Sequence, residues 1–134
     1  MNQIERVQSD QVGEPPAETW SNCLRIGNQV FIAGMTARSS EFDSIEGAGV
    51  YAQARIIFIK IKFLIEAAGG TMADIVKVNI FVTNIDQRQE VWRARREFFT
   101  GNFPVSTLVE VSALALPEME VEVEAVAVLE TGVS

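Results

Sequence analysis

Histidine is absent from the sequence, so the side chain that titrates nearest neutral pH and most often ligates transition metals is missing. Ser-His-Asp catalysis and zinc hydrolysis are therefore not expected. Cysteine is almost as scarce. Cys23 stands alone, which excludes an intrachain disulfide and a cysteine-rich metal site and points to a reducing compartment. Basic residues are few, eleven against eighteen acidic ones for a formal net charge of −7, and they are scattered apart from Arg88, Arg93, Arg95 and Arg96. Phosphate neutralisation needs a dense basic surface, so nucleic acid is not an expected partner. No uncharged apolar run approaches the roughly 18 residues of a membrane span. The stretch Met1 to Glu14 is polar and lacks the apolar centre of a signal peptide, so the expected location is cytoplasmic, with no membrane partner.

What is present fits one folding unit. The 134 residues are 48% apolar and 22% charged, a globular balance in a length with room for one core. We expect a single domain over 1–134 with its core at about 20–130.

Beyond Pro15-Pro16, the runs Cys23 to Ile26 and Gln29 to Ala33 flank Gly27-Asn28, a hairpin signal because both turn residues tolerate positive φ. Residues 38–50, rich in Ser, Asp, Glu and Gly, predict a loop. Tyr51 to Ala68 carries partial alternation at its centre, but its length and the Gly69-Gly70 stop predict a helix. Asp74 to Thr83 predicts a buried strand, Asp86 to Thr100 a second helix, and Ser106 to Ala113 and Met119 to Leu129 two further strands around Pro117. The expected class is α/β (α+β) in the order ββαβαββ. In the last strand Glu120, Glu122 and Glu124 alternate with apolar residues, so all three are expected on one face of the sheet.

Four stretches, in order, carry a family likeness: Ile26-Gly27-Asn28 through Phe31-Ile32-Ala33-Gly34; Gln53 through Glu66-Ala67-Ala68-Gly69; Asp74 to Val78 with Phe81-Val82; and Phe103-Pro104 through Val109-Glu110-Val111 and Val121 to Ala125. Together they resemble the reactive-intermediate deaminase superfamily, also called RidA, YjgF or UK114. The resemblance implies a chorismate-mutase-like domain, a mixed sheet covered on one face by two helices, assembled as a homotrimer with small-molecule clefts between subunits. It also implies an arginine that grips the carboxylate of an imine or enamine and a glutamate that places water. Family deaminases carry that arginine two residues after the proline of Phe-Pro, where this chain has Ser106, which cannot make a bidentate charged contact. Glu122 matches the glutamate, Gly34 the glycine of a Ser-Gly turn, and Trp20 stands where a tyrosine is common. Arg38 is the candidate to restore the positive charge. A ribonuclease role, sometimes attached to this family, fits poorly with the charge and the lack of histidine.

Glu122 competes with a plainer reading as one tooth of a solvated strand face, and anion binding by Arg93, Arg95 and Arg96 near a trimer axis or cleft competes with one as helix-surface residues paired to Glu90 and Glu97. Cys23 is expected to be a buried or half-buried strand residue. In the first helix Ala54, Phe58, Ile61, Ile65 and Ala68 form the core stripe, while Ile56, Ile59 and Phe63 fall on the opposite side, where an exposed apolar stripe would be an interface. That stripe raises an alternative function: a building block, natural or engineered, docking a second protein component or another trimer. No cofactor or metal is implied, because no phosphate-binding glycine loop or metal-ligand spacing is present.

Overall fold

The computed structural model describes residues 3–130, so positions 1–2 and 131–134 of the expected domain lie outside the described residues. The chain runs β1 (Ile4–Arg6), β2 (Cys23–Ile26), β3 (Gln29–Met35), α1 (Val50–Ala67), β4 (Ile75–Val82), α2 (Arg88–Arg95), β5 (Val105–Glu110) and β6 (Val121–Val128). The six strands form one sheet in the order β1-β2-β3-β6-β4-β5. Every pairing is antiparallel except β4 with β5, which the crossover through α2 makes parallel. The expected order thus holds with one strand added at its front. A three-residue strand of mixed polarity has too short a pattern to be read, and it exists because the free edge of β2 offers it a ladder.

The hairpin forms where expected, with Ile26 opposite Gln29 and Gly27 at φ 61°. α1 buries Ala54, Ile57, Phe58, Ile61, Leu64 and Ile65 against the sheet. It stops where Gly69, at φ 96°, lets its N–H and that of Gly70 turn back onto the carbonyls of Glu66 and Ile65. Arg25 on β2 donates to the carbonyl of Ala68 at 2.7 Å, pinning that end of the helix to the sheet.

Three bounds differ from expectation for visible reasons. α2 ends at Arg95 rather than near Thr100, because beyond Arg96 the N–H groups of Glu97 and Phe98 bond three residues back and the tightened turn swings Phe98 and Phe99 onto Phe58. β5 ends at Glu110 because its one partner, β4, ends at Val82 opposite it. β6 starts at Val121 because the backbone N–H of Glu120 is taken by the side chain of Gln53.

The expected open apolar stripe on α1 is a correction. Ile56, Ile59 and Phe63 are half-buried, not exposed. Residues 11–13 and the 40–47 loop lie along that side of the helix, so the three side chains line a shallow groove with Gln11, Gly13, Ser40 and Glu46. Gly47 sits against Ile56, at whose Cδ1 an added Cβ would stand 3.1 Å away. The loop residues were too polar for their packing to be foreseen. Among the described residues no helix is long and apolar enough to cross a membrane.

Candidate functional site

The polar lead folds back over the 38–49 loop. Gly13 lies so close to the loop that an added Cβ would stand 2.2 Å from the carbonyl oxygen of Ser40. Buried Asn22 donates to the carbonyl of Gly13 at 2.9 Å and holds the lead in place. Where β3 runs into this loop a cleft of about 110 Å³ opens, and Trp20, Gly34, Arg38 and Glu122 all line it, with Phe42, Lys60 and Met119 among the other walls.

Glu122 projects into the cleft from β6. Its two neighbours of the same strand parity are engaged elsewhere: Glu120 accepts from Gln53 of α1 at 3.3 Å and Glu124 from Asn79 of β4 at 3.0 Å. Half-burial pushes the Glu122 carboxyl above the usual carboxylate range, and the charge of Glu124 adds to the effect. Gly34 makes room for it, since a Cβ there would lie 2.6 Å from Glu122 Oε2.

Arg38 lines the same cleft. Its guanidinium carbon lies 5.2 Å from the centre of the Phe42 ring, and its Nε is buried with no hydrogen-bond partner among the described residues. Lys60 of α1 donates from Nζ to the carbonyls of Thr36 and Arg38 and so fastens the backbone that carries the arginine. Burial lowers the Lys60 ammonium to about 8, with Glu46 opposing and Arg38 assisting the drop. Sequence reasoning missed this lysine. On a helix with Lys62 two residues on, nothing in its spacing marks it as the residue whose chain reaches the loop.

Ser106 lies elsewhere. It sits on β5, where its hydroxyl accepts from Arg95 at 2.8 Å, in a separate groove with Arg88 and Trp92. Arg93 does pair with Glu90, at 2.6 Å, and Glu97 is taken by Arg55 rather than by another residue of α2. Cys23 is buried, which lifts its thiol to about 11, with Glu14 and Glu5 adding to the rise. Among the described residues no group of three or more Cys, Asp or Glu gathers as a metal ion would require.

The family model described as Endoribonuclease L-PSP matches residues 12–129. A 2-iminobutanoate/2-iminopropanoate deaminase of Dermatophagoides farinae is 29% identical over 125 residues, covering 93% of this chain and 97% of its own. The protein of the same name from Escherichia coli K12 is 33% identical over 106 residues, 77% of this chain and 81% of its own. Among solved structures, a protein of unknown function from Pseudomonas aeruginosa superposes with a TM-score of 0.86 at 39% identity, covering 97% of this chain and 95% of that one. RidA from an Antarctic Psychrobacter gives 0.83 at 28% identity, covering 93% and 99%.

Proposed function

The chain belongs to the Endoribonuclease L-PSP (RidA/YjgF) family, and from that premise we propose that its Glu122 cleft binds a small imine, enamine or carbonyl metabolite and hydrolyses the imine form. The observation that carries the reading is that Glu122, a half-buried carboxyl with a raised pKa and no hydrogen-bond partner among the described residues, and the Arg38 guanidinium line one cleft. Arg38 grips the substrate carboxylate in place of the guanidinium that Ser106 cannot supply. Trp20 forms an apolar wall.

In the proposed reaction Glu122 accepts a proton from water as the oxygen bonds to the imine carbon. That proton passes to the nitrogen to give a carbinolamine; Glu122 then carries the hydroxyl proton to the amine as the C=O bond forms and the C–N bond breaks, so that ammonia and a ketone leave, water is consumed and nothing is oxidised. A carboxyl with a pKa raised toward neutrality is suited to both taking and returning that proton. The clefts are completed by neighbouring subunits of a homotrimer.

Replacement of Glu122 by Gln tests the reading. Ammonia release from a 2-imino acid generated in situ should fall by about two to four orders of magnitude, the usual contribution of a general acid-base group. An Arg38→Met chain should instead show mainly a raised KM. Full turnover by the Glu122→Gln protein would refute the role given to the carboxylate.

A further inference from the structure

Lys60 of α1 lines the Glu122 cleft and also the shallow groove of Ile56, Ile59 and Phe63, so it stands in the wall they share. It is half-buried. Its Nζ donates to the carbonyl of Thr36 at 2.7 Å and to that of Arg38, and no carboxylate lies within ion-pair distance of it among the described residues. Fastening the loop backbone accounts for only part of this arrangement. A tetrahedral nitrogen has four corners: Cε takes one, the N–H groups to Thr36 and Arg38 take two, and one is left. In the ammonium that corner is a third N–H, which finds no acceptor among the described residues. In the neutral amine it is the lone pair. Both carbonyls then keep their donors, so the proton can leave without the loss of a hydrogen bond.

The surroundings favour that loss. Burial lowers the Lys60 ammonium to about 8; Glu46 opposes the drop and the Arg38 charge adds to it. Glu122, in the same cleft, carries a carboxyl that burial itself pushes toward its neutral form. At pH 7 on the order of a tenth of such an amine is neutral, against less than about a thousandth of an ordinary lysine. A lysine that is desolvated and set beside another cation is a nucleophile toward carbonyl and imine carbon. Lys60 meets both conditions. Lys62 and Lys77, the remaining lysines of the chain, are exposed.

We propose that Lys60 is a covalent site of the cleft, where its amine forms a Schiff base with a 2-oxo acid, or with the corresponding 2-imino acid, whose carboxylate lies on Arg38. The inference rests on the reading of the cleft as a carbonyl and imine site, but not on Glu122 as its base. From a protonated 2-imino acid, the lone pair of Lys60 Nζ bonds to the imine carbon and the C=N electron pair moves onto the substrate nitrogen. One proton passes from Nζ to that nitrogen, ammonia leaves, and the Nζ lone pair closes the new C=N bond. The same protonated Schiff base forms from a 2-oxo acid with uptake of one proton and loss of water. It keeps one N–H for one of the two carbonyls and leaves the other to water in the cleft. Hydrolysis returns the 2-oxo acid and the free amine, and nothing is oxidised.

The test is reductive trapping. The intact protein is incubated near pH 7 with pyruvate and cyanoborohydride, which adds hydride to a Schiff base and fixes the acid to the nitrogen as a secondary amine. Intact mass and peptide mapping then read how many groups are fixed and where, among three lysines. The expected result is one pyruvate-derived group per chain, on Lys60, formed at least about tenfold faster than on Lys62 or Lys77. Mapping the unaltered protein needs no variant to fold. Lys60→Arg, which keeps a cation and N–H donors but no nucleophilic amine, should lose the rapid adduct. Glu122→Gln should retain it even where ammonia release has collapsed. No adduct at Lys60, or labelling at equal rates on all three lysines, would overturn the proposal, and continued ammonia release in the same protein would show that the hydrolytic reading survives it. Rapid labelling of Lys60 in a Glu122→Gln protein with full turnover would instead support the covalent site and remove only the role of the carboxylate.

Discussion

Gly34 is a glycine because a carboxylate stands where its side chain would be. Its backbone needs no positive φ, so the constraint comes from the 2.6 Å approach of Glu122 Oε2 to the missing Cβ. Gly34→Ala therefore has to push Glu122 aside while leaving β3 paired. If the cleft acts as proposed, imine turnover in this variant falls by on the order of a hundredfold, the cost of a misplaced reacting group, with the unfolding midpoint little changed. Unaltered turnover would separate Gly34 from the chemistry. The sequence pattern goes only part of the way here. Alternation puts Glu120, Glu122 and Glu124 on a common face, and what separates them is Gln53 reaching across from α1 and Asn79 from β4. Those cross-chain partners leave no trace in a strand's own period.

α1 shows how far periodicity reaches at the scale of an element. Its core stripe was legible because a 3.6-residue repeat is set by the helix alone, and Ala54, Phe58, Ile61, Ile65 and Ala68 are all buried. Its opposite face was not legible, because what half-covers Ile56, Ile59 and Phe63 is a polar lead and loop that carry no repeat. The same stripe locates the helix's weakest point for substitution. Phe58 is fully buried and meets Phe98 at 5.5 Å and Phe99 at 5.9 Å, so it joins α1 to the turn that closes α2. Phe58→Ala is expected to cost about 3–5 kcal/mol in urea unfolding at fixed protein concentration. A cost near that of a surface change would mean the turn after α2 collapses onto the space. The ends of α2, β5 and β6 were set less by their own residues than by Phe99, by the end of β4 and by Gln53.

On the scale of the whole molecule, the sheet has one covered face and one open one. α1 and α2 close the first, while the second presents a cross-strand row of Leu24, Phe31, Val126 and Lys77 through β2, β3, β6 and β4. Phe31 in that row is 40% exposed, and along the β5 edge Phe103, Val105 and Val109 are 43%, 67% and 41% exposed. An apolar face of this extent on a sheet is characteristic of a surface buried in an assembly. The number of subunits comes from the family resemblance, which implies three sheets lining a closed trimer. Light scattering coupled to size exclusion should therefore return three times the 14.8 kDa chain mass. Phe31→Lys, which puts a charge in the middle of the row without touching the helix-covered core, should shift the protein toward monomer. A monomeric parent protein would leave the Glu122 cleft to be completed within one chain. A particle larger than a trimer would instead return attention to the half-buried groove of Ile56, Ile59 and Phe63.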